Sequence, residues 1–171
     1  MAEAKVGDEF IKHEFDEAIA IQERIVEAEQ QLSREHPFPD AQQAIKVCLK
    51  DDRQFLTQLQ QLGKPRGATG KVEEVAEAMG ELMQETLSSA SEAESEAYEA
   101  HAVLLSLKRK QQDSGAAMVK IARELGDTDL RDAAVEFERG QREGAKALAD
   151  TLAAFAVRIA TQGSTQAAAG G

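Results

Sequence analysis

The sequence predicts an all-α protein, and three observations carry that reading. All three prolines, Pro37, Pro39 and Pro65, lie before residue 66 and mark two breaks. The helix formers Ala, Glu, Gln, Leu, Lys and Arg dominate the segments between and after those breaks. Within each segment, apolar residues recur in steps of three and four, the period of a helix with one buried face rather than a strand. A chain of 171 residues is one domain long. The expected division is a single helical domain over 1–161 and a small, polar tail over 162–171, expected to be disordered.

The first helix is expected from about Asp8 to Arg34, with Ile11, Phe15, Ala18, Ile21, Ile25, Ala28 and Leu32 on its inner stripe. His36-Pro37-Phe38-Pro39 ends it, because proline lacks an amide donor and clashes with the preceding turn. Asp40 with Gln43 resembles a capping box for a second helix over about Ala41–Leu62, whose inner face carries Ile45, Cys48, Phe55, Leu59 and Leu62. Gly63 to Gly70 is a flexible loop by composition. It ends like a phosphate-binding loop, in Gly70-Lys71, but Pro65 stands at the first glycine position, Val72 at the hydroxyl position, and no strand precedes it.

Lys71 to Leu125 contains no proline and is one long kinked helix or two. Val72, Val75, Met79, Leu82 and Met83 form its first stripe; Tyr98, Leu104, Leu105, Met118, Val119, Ala122 and Leu125 form its second. A kink or break is expected at Ser88-Ser89-Ala90-Ser91, where hydroxyls compete for backbone hydrogen bonds. Gly126 is placed to end the helix, and Asp127 or Thr128 to cap the next. The last helix, about Asp129–Ile159, presents Leu130, Ala134, Phe137, Leu148, Leu152, Phe155 and Ile159. Long helices joined by short breaks favour antiparallel neighbours, hence an up-down four-helix bundle with a possible extra helix or a kinked long third one.

Composition removes several functions. With 31 acidic and 20 basic residues the net charge is −11, which argues against nucleic-acid or anionic-membrane partners. One cysteine excludes a disulfide framework and cysteine-based zinc modules. No apolar run approaches the roughly 20 residues of a membrane span. With no secretion signal at the start of the sequence, a cytoplasmic protein is expected.

The informative positions are polar residues that interrupt apolar stripes: Gln22 on the first helix, Asp52 on the second, His101, Lys108 and Gln112 between Tyr98 and Val119, and Gln141 on the last. Buried and unpaired, each would cost about 1–3 kcal/mol, so Gln22, Asp52, Lys108, Gln112 and Gln141 are expected to form an interior network. Cys48 reads as a small buried hydrophobe, His101 as a core histidine, His13 as a surface side chain and His36 as a loop residue.

Three stretches carry a family resemblance: Asp51 to Gly63; Lys108 to Asp113 with Ile121 to Asp127; and Phe137 to Leu148. From Lys50 to Ala156, about two-thirds of the chain, the sequence resembles the ferritin-like superfamily, most nearly the small bacterial stress-associated bundles of the YciE/YciF type. The resemblance implies a di-metal centre built from a Glu on each of two helices and a Glu-x-x-His on each of the other two. This chain departs from it. Gln141 replaces the histidine after Glu138; Asp52 is followed three residues on by Phe55; Gln112 stands for a ligand Glu; and the first-helix position falls on Ala18, with Glu14 or Glu17 nearby.

Neutral amides are poor ligands for iron or manganese. The expectation is therefore a non-enzymatic ferritin-like bundle without cofactor, stress-associated or partner-binding, and homodimeric or bound to another protein. The alternatives are a divergent di-iron or di-manganese oxidase or peroxidase, with Asp52, His101, Glu138 and Glu17 as metal ligands, and an amphipathic coating or scaffold protein.

Overall fold

The computed structural model describes residues 2–71 and 74–162; Val72 and the tail 163–171 lie outside them. Five α-helices account for the regular structure of the described residues: α1 (Ala2–Glu35), α2 (Pro39–Gly63), α3 (Glu74–Ser89), α4 (Glu94–Leu125) and α5 (Thr128–Thr161), with a single 3-10 turn at Lys64–Arg66. No strand occurs among those residues. No helix is long and apolar enough to cross a membrane. α1 packs on α2, α2 on α5, α5 on α4 and α4 on α1, which closes a ring of four long helices; α3 packs on α1 and α4.

The breaks follow local chemistry. α2 starts with Pro39 in its first turn and an extended Phe38 as N-cap, so no side chain caps it. The Asp40–Gln43 capping box does not form, because proline, which needs no amide partner there, starts the helix two residues early. Lys71 to Leu125 divides into two helices: Thr86 Oγ1 donates to the carbonyls of Leu82 and Met83, and Ser88 Oγ to that of Glu85 at 2.6 Å, just before the chain turns. Gly126, left-handed at φ 67°, ends α4 with its amide on the carbonyls of Ala122 and Arg123. Asp127 then caps α5 by accepting the Leu130 amide at 3.0 Å.

α3 differs from expectation. Val75 and Leu82 are 59% and 50% exposed; Met83 and Met79 face inward as expected, and Ala76 and Gly80 join them in place of the larger residues. The cause is close approach: a Cβ on Gly80 would lie 3.0 Å from Arg24 Nε, so small residues let α3 settle against α1 where larger ones could not. Leu125, expected on the α4 stripe, is 61% exposed at the helix end.

Two apolar clusters fill the interior. One holds Ile21, Ile25, Leu32, Ile45, Leu104 and Leu148; the other holds Phe15, Ile19, Leu59, Met118, Leu130 and Phe137. On α2, α4 and α5, a buried polar residue lies between the segments that feed the two clusters: Asp52, Lys108 with Gln111, and Gln141.

Candidate functional site

Asp52 is the hub of this polar layer. Lys108 Nζ donates to Asp52 Oδ2 in a short ion pair and lies 3.5 Å from Glu29 Oε1. Gln22 Nε2 donates to Asp52 Oδ1 at 2.8 Å and to the Asp52 carbonyl at 3.2 Å. Gln141 Nε2 donates to the same Oδ1 at 2.6 Å. Gln111 Nε2 extends the chain to Gln22 Oε1 at 2.9 Å and the Ala18 carbonyl at 2.8 Å. All six side chains are at most 1% exposed, and all four long helices contribute.

Gln22, Asp52, Lys108 and Gln141 thus meet; Gln112 does not join them. Gln111 takes its place, because the inward face of α4 advances from Lys108 by three residues, and Gln112 stands one step round on the flank, half-buried. Glu29 was not singled out by the stripe reading. It lies seven residues after Gln22 and three before Leu32, which is the spacing that would have found it.

The electrostatics are those of a buried triad. Burial alone would push the Lys108 ammonium down, but Glu29 and Asp52 more than offset it and hold it above its ordinary 10.5. Burial pushes the Glu29 carboxyl well above 4.5, with Asp52 adding to the shift and Lys108 opposing it. Burial and the neighbouring Asp52 thus favour the neutral form of Glu29, beside the Lys108–Asp52 ion pair. An uncompensated charge there would cost several kcal/mol. Three buried oxygens, Glu29 Oε2, Gln111 Oε1 and Gln141 Oε1, have no partner among the described residues. The two amide oxygens can only accept and lack a donor, whereas the Glu29 carboxyl can itself carry a proton.

Two glycines on α5 make the layer possible. A Cβ on Gly144 would sit 2.6 Å from Lys108 Cε, and one on Gly140 would fall against the Phe55 ring. The lysine stem passes from α4 to α2 over a helix surface that has no side chain at that point.

The other candidates lie apart. Glu138 is half-buried and pairs with Arg142 at 3.0 Å. Glu17 pairs with Lys110 at 2.6 Å. His101 is buried with His36, which is only 4% exposed and so is no free loop residue: the α1–α2 connection folds it inward onto Phe155. The Phe38 amide donates to His36 Nδ1 at 3.1 Å, which makes His36 Nε2 the protonated nitrogen. Nε2 then donates to His101 Nδ1 at 3.1 Å, and His101 Nε2 to the Leu148 carbonyl at 2.9 Å. Both rings must be neutral. Burial pushes both histidines down to about 4, and the neighbouring ring and Arg158 add to the shift of His36.

The donors do not fit the di-metal centre that the ferritin-like resemblance implies. Among the described residues, no three of His, Cys, Asp and Glu converge as metal ligands. Cys48 is buried and burial pushes its thiol up to about 12, so it stays a thiol. The glycine-rich loop after α2 already holds an anion, one of the chain's own. The amides of Thr69 and Gly70 donate to Asp16 Oδ1 at 2.6 and 2.9 Å, while Lys12 holds Oδ2 at 2.6 Å. Burial pushes Asp16 up, but those three donors prevail and hold it below its ordinary 3.8.

No known protein family matches the chain, and no curated protein does either.

Proposed function

We propose that the protein is a ferritin-like, up-down four-helix bundle with one added helix, α3, in which a lysine-centred network stands in place of a di-metal centre. On this reading it works without a cofactor and without an enzymatic centre, as a cytoplasmic homodimer or partner-binding protein of the stress-associated kind. The closed ring of α1, α2, α5 and α4 supports a four-helix bundle, and α2, which does not pack on α4, reaches it through α3, as the single long crossover of a ferritin-like bundle requires.

A single observation carries the functional part. The Lys108 ammonium lies between the carboxyl groups of Asp52 on α2 and Glu29 on α1, with the Gln141 amide on Asp52 from the far side. A fixed internal cation supplies the charge that a metal ion would otherwise bring to two carboxyl groups, and its donors fill the positions where a metal would need lone pairs. The net charge of −11 supports a partner other than nucleic acid.

Elemental analysis of protein expressed with added iron and manganese tests this. Substoichiometric metal is expected, and one or two equivalents per chain would overturn the reading. Light scattering on the same sample checks the dimer, and a monomer mass at high concentration would remove that part.

A further inference from the structure

The seam between α2 and α5 is the side of the ring opposite to the one where α3 packs, and no helix among the described residues covers it. A cleft of about 280 Å³ opens there. Ala44, Val47 and Phe55 of α2 and Gly140, Gly144 and Ala147 of α5 wall it, and Cys48 and the Lys108 stem lie at its floor. The wall is open because two successive turns of α5 carry glycine, and it is apolar because the exposed side chain beside it is Val47.

Charge is distributed unevenly between floor and mouth. At the floor, the Lys108 ammonium is bound to Asp52 and Glu29, so a second cation gains nothing by going deep. Asp51 and Glu143 also line the cleft; both are exposed, and neither has an ion-pair partner among the described residues. Two unpaired carboxylates at the mouth of an apolar cleft, on a chain of net charge −11, attract cations and repel anions.

We propose that the α2–α5 cleft binds small amphipathic amines, with the apolar body against Ala44, Phe55 and Ala147 and the ammonium at the mouth, beside Asp51 and Glu143. The floor offers the head group no free carboxylate, because Lys108 already holds Asp52 and Glu29, so the mouth carboxylates fix the orientation, and the glycines supply the width. This site is independent of whether the interior layer ever held a metal.

Hexylamine, hexanol and hexanoate share an apolar body and differ in head-group charge. Titrated into the full-length protein at fixed ionic strength, hexylamine should produce saturable NMR shifts of the Ala44, Val47 and Ala147 methyl signals. Hexanol should need about tenfold more, and hexanoate should produce no saturable shift. The double variant Asp51→Asn/Glu143→Gln alters only exposed side chains, so its melting should match the parent while its affinity for hexylamine falls to that for hexanol. Hexanoate binding as well as hexylamine, no saturable shift with any of the three, or unchanged hexylamine affinity in the double variant would each overturn the proposal.

Discussion

Acid and base should both destabilise this protein, through different buried groups: two histidines held below their ordinary value and one glutamate held above its own. His36 and His101 are held neutral by the donor chain from the Phe38 amide to the Leu148 carbonyl. The groups around them give a proton no welcome. Phe38 and Phe155 pack on the rings' side of the bundle, and the Arg158 guanidinium reaches the Pro37 carbonyl beside them while paired to Glu94 of α4. Because the folded values lie near 4 and the unfolded ones near 6.5, the unfolded chain binds two protons in that window that the folded chain does not, and stability rises with pH.

Glu29 acts with the opposite sign. Its folded value lies above 4.5, so beyond that pH the folded chain keeps a proton that the unfolded chain has lost, and stability falls as pH rises. Between 4.5 and 6.5 the two histidines contribute a rise of up to about 2.7 kcal/mol per pH unit, from which Glu29 subtracts about 1.4 for as long as it holds its proton. Above 6.5 the unfolded histidines are neutral and their contribution is level, so the fall imposed by Glu29 stands alone until Glu29 itself ionises. Urea denaturation from about pH 5 to about pH 8 reads both limbs, provided the slope against urea stays constant. Glu29→Gln, which mimics the neutral carboxyl, should flatten the alkaline limb and leave the acid one. His36→Gln with His101→Gln should remove the acid limb. A flat profile, or an alkaline limb unchanged in Glu29→Gln, would refute the charge assignment of the buried layer.

Two further outcomes follow from the same contacts. Lys108→Met leaves Asp52 and Glu29 buried without their cation and should cost about 3–5 kcal/mol in urea denaturation, with Asp52→Asn in the same chain recovering much of it; no recovery would place the loss in packing rather than charge. Asp16→Asn removes the charge that gathers the Thr69 and Gly70 amides, so stability should fall by about 1–2 kcal/mol and hydrogen exchange at those two amides should quicken; unchanged exchange would show that the loop holds its shape unaided.

Much of the helical plan is legible because its signals are local. Gly126 and Asp127 end one helix and start the next with bonds to residues at most five positions away. The serines at 88 and 89 bond to carbonyls three residues back. Gln22, Asp52, Lys108 and Gln141 stand out because each interrupts an apolar stripe. The misreadings have a different origin. Helical steps of three and four leave a residue's side ambiguous by one position, which is the whole difference between Gln111 and Gln112. His36 escapes because periodicity says nothing beyond a helix end. The loop around Thr69 reads as flexible because its anchor, Asp16, lies 53 residues earlier.

The polar layer shows where that boundary falls. Lys108 finds Asp52 across 56 residues of sequence and Glu29 across 79, and no local pattern encodes either partner. Its path is encoded nonetheless. Gly140 and Gly144 interrupt a run of good helix formers, each at a cost of about 1 kcal/mol relative to alanine. Two such residues one turn apart are retained on one face only if something must come close to the backbone there. Here these are the Phe55 ring and the stem of Lys108, a long buried side chain that must cross from one helix to another. A glycine pair beside an inward polar residue thus marks where a long side chain passes, although not where it ends. Its end depends on the charges of two other helices, and those are known only once the helices are packed.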